Sequence, residues 1–269
     1  MRINEWASLY VRLLGAQIRA QLQYRASFLL QVAGHGMITV LDFVATAVLF
    51  YRFPNLAGWS LGEVAFLFGL GGMAFGISDM VCSGFDRLSI AIQTGTFDRV
   101  LTRPVAAFTQ VLASDFQLRR LGQIGQAALV LAVAIAIVDV NWTPLKLVVL
   151  LSALVSGVFI FSAIWVIGAA ITFWTVQTSE VTNAFTYGGS YLVQYPMSIY
   201  ADWLRHFFIF VVPLGFVSYL PSLYILGRAD PLELPAALQL CSPLVALAFV
   251  IPACGAWRLG VRHYQSTGS

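Results

Sequence analysis

The sequence predicts an all-α integral membrane protein with six transmembrane helices, from its composition, its long apolar segments and the positions of its arginines. Of its 269 residues, 59% are hydrophobic and 10% are charged, whereas a soluble domain usually carries about 25% charged residues. A folded soluble chain of this length could not bury that much apolar surface. A bilayer accommodates it, because the hydrocarbon core of lipid is itself apolar.

Each predicted span is a mostly apolar stretch of about 20 residues, the length that crosses the hydrocarbon core. A further apolar stretch, residues 201–226, contains Pro213 and Pro221. We interpret it as a re-entrant hairpin on the outer side, where broken helices are tolerated if protein covers them. No internal repeat or flexible linker divides the sequence, so residues 1–269 form a single predicted transmembrane domain. The six spans are predicted at about residues 27–50, 61–82, 121–138, 147–174, 181–199 and 238–257.

The basic residues predict the orientation of these spans, because cytoplasmic loops carry an excess of Lys and Arg. With six spans and both termini in the cytoplasm, eleven of the 15 basic residues lie inside and four lie outside. A seventh span at residues 207–226 would export Arg258 and Arg262, which argues against it. Ahead of the first span, residues 6–19 have apolar and polar faces at helical spacing, which predicts an amphipathic helix on the membrane surface.

The residue content argues against several chemical functions for this chain. A P-loop ATPase needs a lysine after the second glycine of its phosphate-binding loop, but the single lysine, Lys146, follows no such loop. The sequence has no zinc-protease or serine-hydrolase motif, and its three cysteines lack metal-ligand spacing. It also lacks the basic and aromatic pattern of nucleic-acid binding. We therefore expect no catalytic residues, no metal site, no bound cofactor and no nucleic-acid partner.

Residues 85–104, between the second and third predicted spans, form a charged segment with the pattern of two short helices. The first, at about residues 86–93, ends at Gly95, a natural C-terminal cap. Thr96 caps the second, and Pro104 stops it. Two rigid charged helices that carry apolar side chains suit the docking of a soluble partner, whereas the alternative is a solvated loop. The candidate docking residues are Asp86, Arg87, Phe97, Asp98, Arg99, Val100, Leu101 and Arg103.

A polar stripe runs along the first predicted span. At 100° per residue, Gln31, His35, Thr39, Asp42 and Thr46 lie within about 40° of one line along the helix. Asp42 is near the middle of the span, where a charge is costly and an ionisable residue indicates a functional site. The alternative is a hydrogen-bonded helix interface, in which Asp42 pairs with His35 or with a neighbouring helix.

The second predicted span carries an acidic residue near each end and a face of glycines. Glu63 and Asp79 are close enough to the ends to reach water at the headgroups, and Asp79 is also a candidate for a substrate path. Gly69, Gly72 and Gly76 share one face, which lets another helix approach closely. We interpret that face as a packing surface, within the chain or between subunits.

Two groups of residues carry a resemblance to ABC transporter permeases of the type-2 exporter class. In that family the segment between the second and third spans forms the coupling helix that docks on the ATPase. The segment of this sequence that resembles it is Gly95-Thr96-Phe97-Asp98-Arg99-Val100-Leu101-Thr102-Arg103-Pro104. The family's outer re-entrant region looks like Tyr195-Pro196, Trp203-Leu204-Arg205 and Pro213-Leu214 of this chain. Within the class, the chain is most similar to a bacterial subfamily described as viologen-exporter-like.

The resemblance implies a permease subunit of an ATP-driven exporter in the bacterial inner membrane, with amphiphilic drug-like or lipid-like cargo. It implies that ATP and Mg bind to two copies of a separate ATP-binding subunit. A second, different permease would complete the substrate path, and membrane lipid would surround both chains. The first, second and fifth spans would line this path, with His35, Asp42 and Asp79 as candidate residues. The residues alone leave two alternatives: a proton-coupled secondary transporter or channel using Asp42, and an intramembrane enzyme using His35 and Asp42.

Overall fold

The computed structural model describes residues 3–175, 179–230 and 233–265, and the regular structure of these residues is helical. Among them, the one extended pairing is an isolated bridge between Leu56 and Trp59. The helices are α1 (Ile3–Leu22), α2 (Arg25–Arg52), α3 (Leu61–Asp86), α4 (Leu88–Gln93), α5 (Phe97–Leu101), α6 (Ala107–Leu112), α7 (Leu121–Ile137), α8 (Pro144–Thr175), α9 (Ser179–Leu192), α10 (Asp202–Phe210), α11 (Tyr219–Leu226) and α12 (Ser242–His263). Short 3₁₀ helices lie at Leu118–Arg120, Met197–Ile199, Leu214–Phe216 and Ala236–Leu240. The predicted all-α class is confirmed.

Within the residues that the structure describes, five helical stretches are long and apolar enough to cross a membrane. They are α2, α3 with its continuation to Gln93, the stretch Leu118–Ile137 that contains α7, α8, and α12. α10 and the stretch Leu214–Leu226 would together make a sixth, but they are bent by 76° relative to each other. A bend of this size belongs either to a broken span or to a re-entrant loop. The break predicted within residues 201–226 is therefore present, while the re-entrant path itself stays a prediction.

The fifth predicted span, residues 181–199, is longer than the helix that forms there. α9 has 14 residues, which is about 21 Å at 1.5 Å per residue and less than the hydrocarbon thickness of about 30 Å. The helix ends at Leu192, shortly before Tyr195 and Pro196. The predicted length is wrong, because a proline disfavours helical geometry in the residue before it and offers no N–H to continue the helix.

The glycine face of α3 packs against α7 of the same chain. A Cβ atom added at Gly69 would lie 2.6 Å from the Cβ of Leu131, and one at Gly76 would lie 2.9 Å from Cγ1 of Ile124. At Gly72 the corresponding neighbour is 3.2 Å away. These distances leave no room for side chains, so the packing interpretation is confirmed and the contact lies within the chain.

α3 is the central helix of the bundle, and α2 is at its periphery. The ring of Phe75 in α3 lies 5.2 Å from that of Phe161 in α8, centroid to centroid, and Phe85 lies 5.3 Å from Trp257 in α12. By contrast, most apolar side chains of α2 are exposed. Lipid surrounds the exposed apolar surface of a spanning helix, so α2 presents much of its circumference to the membrane or to another subunit.

An ion pair joins the start of α3 to the end of α11. Glu63 completes a capping box with Ser60, and its carboxylate oxygens both lie 2.6 Å from Nη1 of Arg228. The guanidinium of Arg228 also stacks over the ring of Trp59, 4.6 Å from its centroid. Gly227, which ends α11, has a φ of +69°, a left-handed conformation that glycine adopts without strain. Glu63 thus has a structural role at this end of the bundle.

The amphipathic helix predicted near the N-terminus is present as α1, and it is attached to the segment before α7. Gln17 donates a hydrogen bond to the carbonyl of Ser114, and the N–H of Leu118 donates to the side-chain oxygen of Gln21. Residues 85–104 lie at the same end of the bundle, because Nε of Arg87 is 3.2 Å from a carboxylate oxygen of Asp115. The position of α1 on the membrane surface and the cytoplasmic side of this end stay predictions.

We expect Gly69→Ala to lower the melting temperature of the purified protein in detergent. The new methyl group would overlap the backbone of α7 at Leu131, and overpacking of this kind costs about 1–3 kcal/mol. Gly34→Ala is the matched control, because a Cβ atom at Gly34 meets nothing within 4 Å. Equal melting temperatures for the two variants would contradict the close contact of α3 with α7.

Candidate functional site

A polar cavity of about 110 Å³ lies between α2, α3, α9 and the start of α7. Two of the three substrate-path candidates, His35 and Asp42, line it. The third, Asp79, is paired with Arg120, whose side chain lines it as well. We name this cavity the polar cleft. Its lining residues are His35, Ile38, Thr39, Asp42, Phe68, Phe75, Arg120, Gln123, Tyr187, Ser190, Tyr191 and Gln194.

The floor of the polar cleft is a buried ion pair. Nη2 of Arg120 lies 2.7 Å from Oδ2 of Asp79, and the Asp79 side chain is 1% exposed. The same guanidinium nitrogen donates to the hydroxyl of Tyr187 at 3.2 Å. The expectation that Asp79 reaches water at the headgroups is wrong, because Arg120 arrives from the start of α7 and neutralises the carboxylate inside the protein.

Three residues of the polar stripe of α2, His35, Thr39 and Asp42, line this cleft. The hydroxyl of Thr46 lies 2.8 Å from the hydroxyl of Tyr195 beyond the end of α9, whereas Gln31 donates to Ser27 and lines a separate cavity. Within the described ranges, Asp42 forms no ion pair with His35 or with any other basic side chain. Asp42 therefore lines the cleft without a basic partner among the described residues. In the same residues, no group of three or more acidic, histidine or cysteine side chains could hold a metal ion.

Phe97, a predicted docking residue, is part of the protein's own core. It is fully buried, and its ring centroid lies 5.3 Å from that of Phe173 at the end of α8 and 5.0 Å from that of Tyr264 beyond α12. The prediction that Phe97 is available to a partner is wrong. The ends of α8 and α12 converge next to α5, and a large apolar side chain fills the space between them.

Asp98 holds the same short helix to the end of α12. Its carboxylate accepts a hydrogen bond from the hydroxyl of Tyr264 at 2.8 Å. Desolvation of the phenol, together with this hydrogen bond to a carboxylate, raises the pKa of Tyr264 to about 12. The hydroxyl therefore keeps its proton at neutral pH and acts as the donor. Asp98 is thus a structural partner of Tyr264 as well as a predicted docking residue.

Four exposed side chains define the outer face of α4 and α5, which we name the coupling surface: Ile90, Arg99, Leu101 and Arg103. Ile90 is 60% exposed and Leu101 is 43% exposed. Ile90 belongs to α4 and Leu101 ends α5, at one end of the bundle. Three of the four residues are among the predicted docking candidates.

Sequence reasoning misses Ile90 as a docking residue, although the helical repeat of α4 predicts that this side chain is exposed. At 100° per residue, Leu88, Ser89 and Ile92 point to one side of this helix, and all three are buried. Ile90 lies on the opposite side. An isoleucine there has no place in the core of the chain.

The remaining docking candidates lie beside the coupling surface. Asp86 is half-buried at the end of α3, because the first short helix begins at Leu88 instead of residue 86. Arg87 is exposed and paired with Asp115. Val100 is half-buried, and its carbonyl accepts a hydrogen bond from the side chain of Gln110 at 2.8 Å. The docking role of the segment itself stays a prediction.

The chain matches one known protein family over most of its length. The model of that family, described as ABC-2 family transporter protein, matches residues 37–268. This range includes the whole coupling surface and every lining residue of the polar cleft except His35. A comparison with curated proteins and a comparison with solved structures each found no match.

We expect Arg120→Met to destabilise the protein strongly. The substitution would leave the Asp79 carboxylate buried without a counter-ion, and breaking a buried pair in this way costs about 3–5 kcal/mol. Arg119→Met is the control, since Arg119 is adjacent in sequence but bonds to the side chain of Gln117. The measurement is the fraction of protein that elutes as a monodisperse peak after heating in detergent.

The double variant Asp79→Leu/Arg120→Met separates charge from packing. With both charges removed, no buried ion is left unpaired, so we expect much of the lost stability to return. If Arg120→Met alone behaves like Arg119→Met, the buried pair is not the interaction that holds α7 to α3.

Proposed function

The chain belongs to the ABC-2 family of transporter proteins, and we propose that it acts as one of two permeases in an ATP-driven exporter of the bacterial inner membrane. One observation supports this most directly. The coupling surface exposes Ile90 and Leu101 at one end of the bundle, while Phe97 and Asp98 of the same segment are fastened to α8 and α12. A surface of this construction suits a soluble subunit that moves the membrane helices by pressing on it.

The proposed partner is an ATP-binding subunit, as the family implies. We propose two copies of it, one for each permease, with ATP and Mg bound there. The contact would have apolar anchors at Ile90 and Leu101, and such central anchors supply most of the binding free energy of an interface. Arg99 and Arg103 would orient the partner, since charges at the rim mainly affect association rate and register.

The aromatic core beneath the coupling surface explains how a push would reach the membrane helices. Phe97 contacts Phe173 of α8, whose ring lies 5.6 Å from that of Trp257 in α12. Tyr264 contacts both Phe97 and Phe173. Close-packed side chains transmit displacement because they have no free volume to absorb it. A movement of α5 would therefore displace the ends of α8 and α12 together.

The polar cleft is the proposed wall of the cargo path. It combines the carboxylate of Asp42 with the phenol of Tyr191 and the rings of Phe68 and Phe75. Such a mixture suits an amphiphilic drug-like or lipid-like molecule, whose polar group needs partners inside an apolar membrane. A second permease, a different homologous chain, would face α2 and complete the path.

We expect the double variant Ile90→Ala/Leu101→Ala to lose its ATP-binding subunit without unfolding. Central apolar anchors contribute about 2 kcal/mol or more each, so losing two weakens docking by a factor on the order of a thousand. The measurement is co-purification of the two proteins in detergent at fixed ionic strength, together with a melting curve of the permease. An unchanged yield of the ATP-binding subunit would contradict the docking proposal.

Two controls distinguish docking from folding. Leu121→Ala removes a leucine of equal exposure, 43%, at the start of α7, and it should leave co-purification unchanged. Phe97→Ala should lower the melting temperature, since truncating a buried phenylalanine costs about 3–5 kcal/mol. A stable Phe97→Ala variant that fails only in docking would show that Phe97 belongs to the interface after all.

We expect Asp42→Asn to reduce transport of cationic amphiphiles relative to neutral ones, with an unchanged melting temperature. The amide keeps the shape of the side chain but cannot carry the negative charge that we propose attracts a cation. The measurement is uptake by inverted vesicles that contain the assembled transporter. Asp139→Asn, at an exposed position between α7 and α8, is the control. If the Asp42→Asn variant and the unchanged protein transport every cationic substrate tested equally well, a role for the Asp42 charge is excluded.

A further inference from the structure

An apolar groove of about 400 Å³ lies between α8, α9, α12 and the break that follows α10. Its walls include Ile164, Ile167 and Ile171 of α8, Phe185 of α9, Val212 at the break and Phe249 of α12. A second apolar cavity of about 290 Å³ shares Val211 and Phe249 with it. This cavity extends along α12 to Val245 and reaches Leu238 in the 3₁₀ helix before α12. The two cavities are therefore neighbouring parts of one depression on the side of the bundle.

The groove is open on the outer side of the bundle, on a surface made by two predicted spans. Ile171, Val181 and Val211 belong to its lining and are exposed, and α8 and α12 both have the length and composition of spans. Water does not fill apolar cavities of this kind, and the hydrocarbon core contains none to supply. An empty groove would also leave its lining atoms without contact partners. An alkyl chain would fill the groove without water and would give its lining atoms contact partners.

One end of the groove is marked by aromatic groups of the type found at membrane interfaces. Ile164, Ile167, Ile171 and Trp174 follow one face of α8 at helical spacing. Trp174 is exposed at the end of this line and stacks on His263 at the end of α12, with ring centroids 5.5 Å apart. Tryptophan is enriched at the level of the lipid headgroups. The groove thus extends from the headgroup level into the hydrocarbon core.

We propose that this groove holds one acyl chain of a bilayer phospholipid, with its headgroup at the level of Trp174 and His263. The acyl chain covers Val211 and Val212, which line the groove at the break after α10. This site is separate from the polar cleft, and it does not depend on which cargo the transporter moves.

The test uses a phosphatidylethanolamine with a photoreactive diazirine in the middle of its acyl chain, incorporated into membranes that contain the full-length protein. After illumination, mass spectrometry locates the labelled residues. We expect labelling to concentrate on Ile167, Phe185 and Phe249. Val211→Trp and Val181→Trp each place a large ring in the groove from an exposed position, and should reduce that labelling about tenfold, which corresponds to 1.4 kcal/mol of binding free energy.

Val155→Trp is the matched control, because it adds the same side chain to an exposed position of α8 outside the groove. It should leave the labelling unchanged. Labelling spread evenly over the exposed residues of the spans, or equal labelling of all three variants, would overturn the proposal. The experiment is repeated with the ATP-binding subunit and a second permease present. If the labelling disappears in that complex, protein and not lipid occupies the groove. That result would also overturn the proposal.

Discussion

The close contact between α3 and α7 determines where charged groups can lie in this membrane bundle. Because Gly69, Gly72 and Gly76 carry no side chains, α7 approaches the backbone of α3, and Arg120 at its start reaches Asp79. Neither charge would be stable alone inside a bilayer. The ion pair in turn holds the start of α7 beside α3. Packing and charge pairing thus support each other, and the polar cleft forms beside them.

At the end of the bundle, one short segment has two faces with different partners. The inner face of α5 supplies Phe97 to an aromatic core and Asp98 to the hydroxyl of Tyr264. The outer face exposes Leu101 and its neighbours in the coupling surface, where we propose that the ATP-binding subunit docks. A five-residue helix has little stability of its own, so its position is fixed by these tertiary contacts. Under the proposed function, these contacts would let a displacement of α5 reach the ends of α8 and α12.

The fold class was predictable because lipid imposes strict rules on the backbone, whose polar groups must be satisfied within each span. The polar stripe of α2 was predictable because it depends only on the helical repeat. The burial of Phe97 and the pairing of Asp79 were not, since each depends on residues far away in the sequence. Phe97 is enclosed by Phe173 and Tyr264, and Asp79 is paired with Arg120. Local patterns carry no information about such convergence.

The interactions around the polar cleft differ in strength, and the difference shows which wall can move. Separating Asp79 from Arg120 would leave two buried charges unpaired, at a cost of about 3–5 kcal/mol. The wall formed by α2 is held near Tyr195 by the hydroxyl contact of Thr46, and a neutral hydrogen bond contributes only about 0.5–1.5 kcal/mol. α2 also packs closely on α7, since a Cβ atom added at Gly36 would lie 3.2 Å from the carbonyl oxygen of Gly122. A cleft that widens would therefore keep α2, α3 and α7 together and lose the weaker contact between α2 and the residues after α9. Asp42, with no counter-ion among the described residues, lies on the α2 side of that weaker contact.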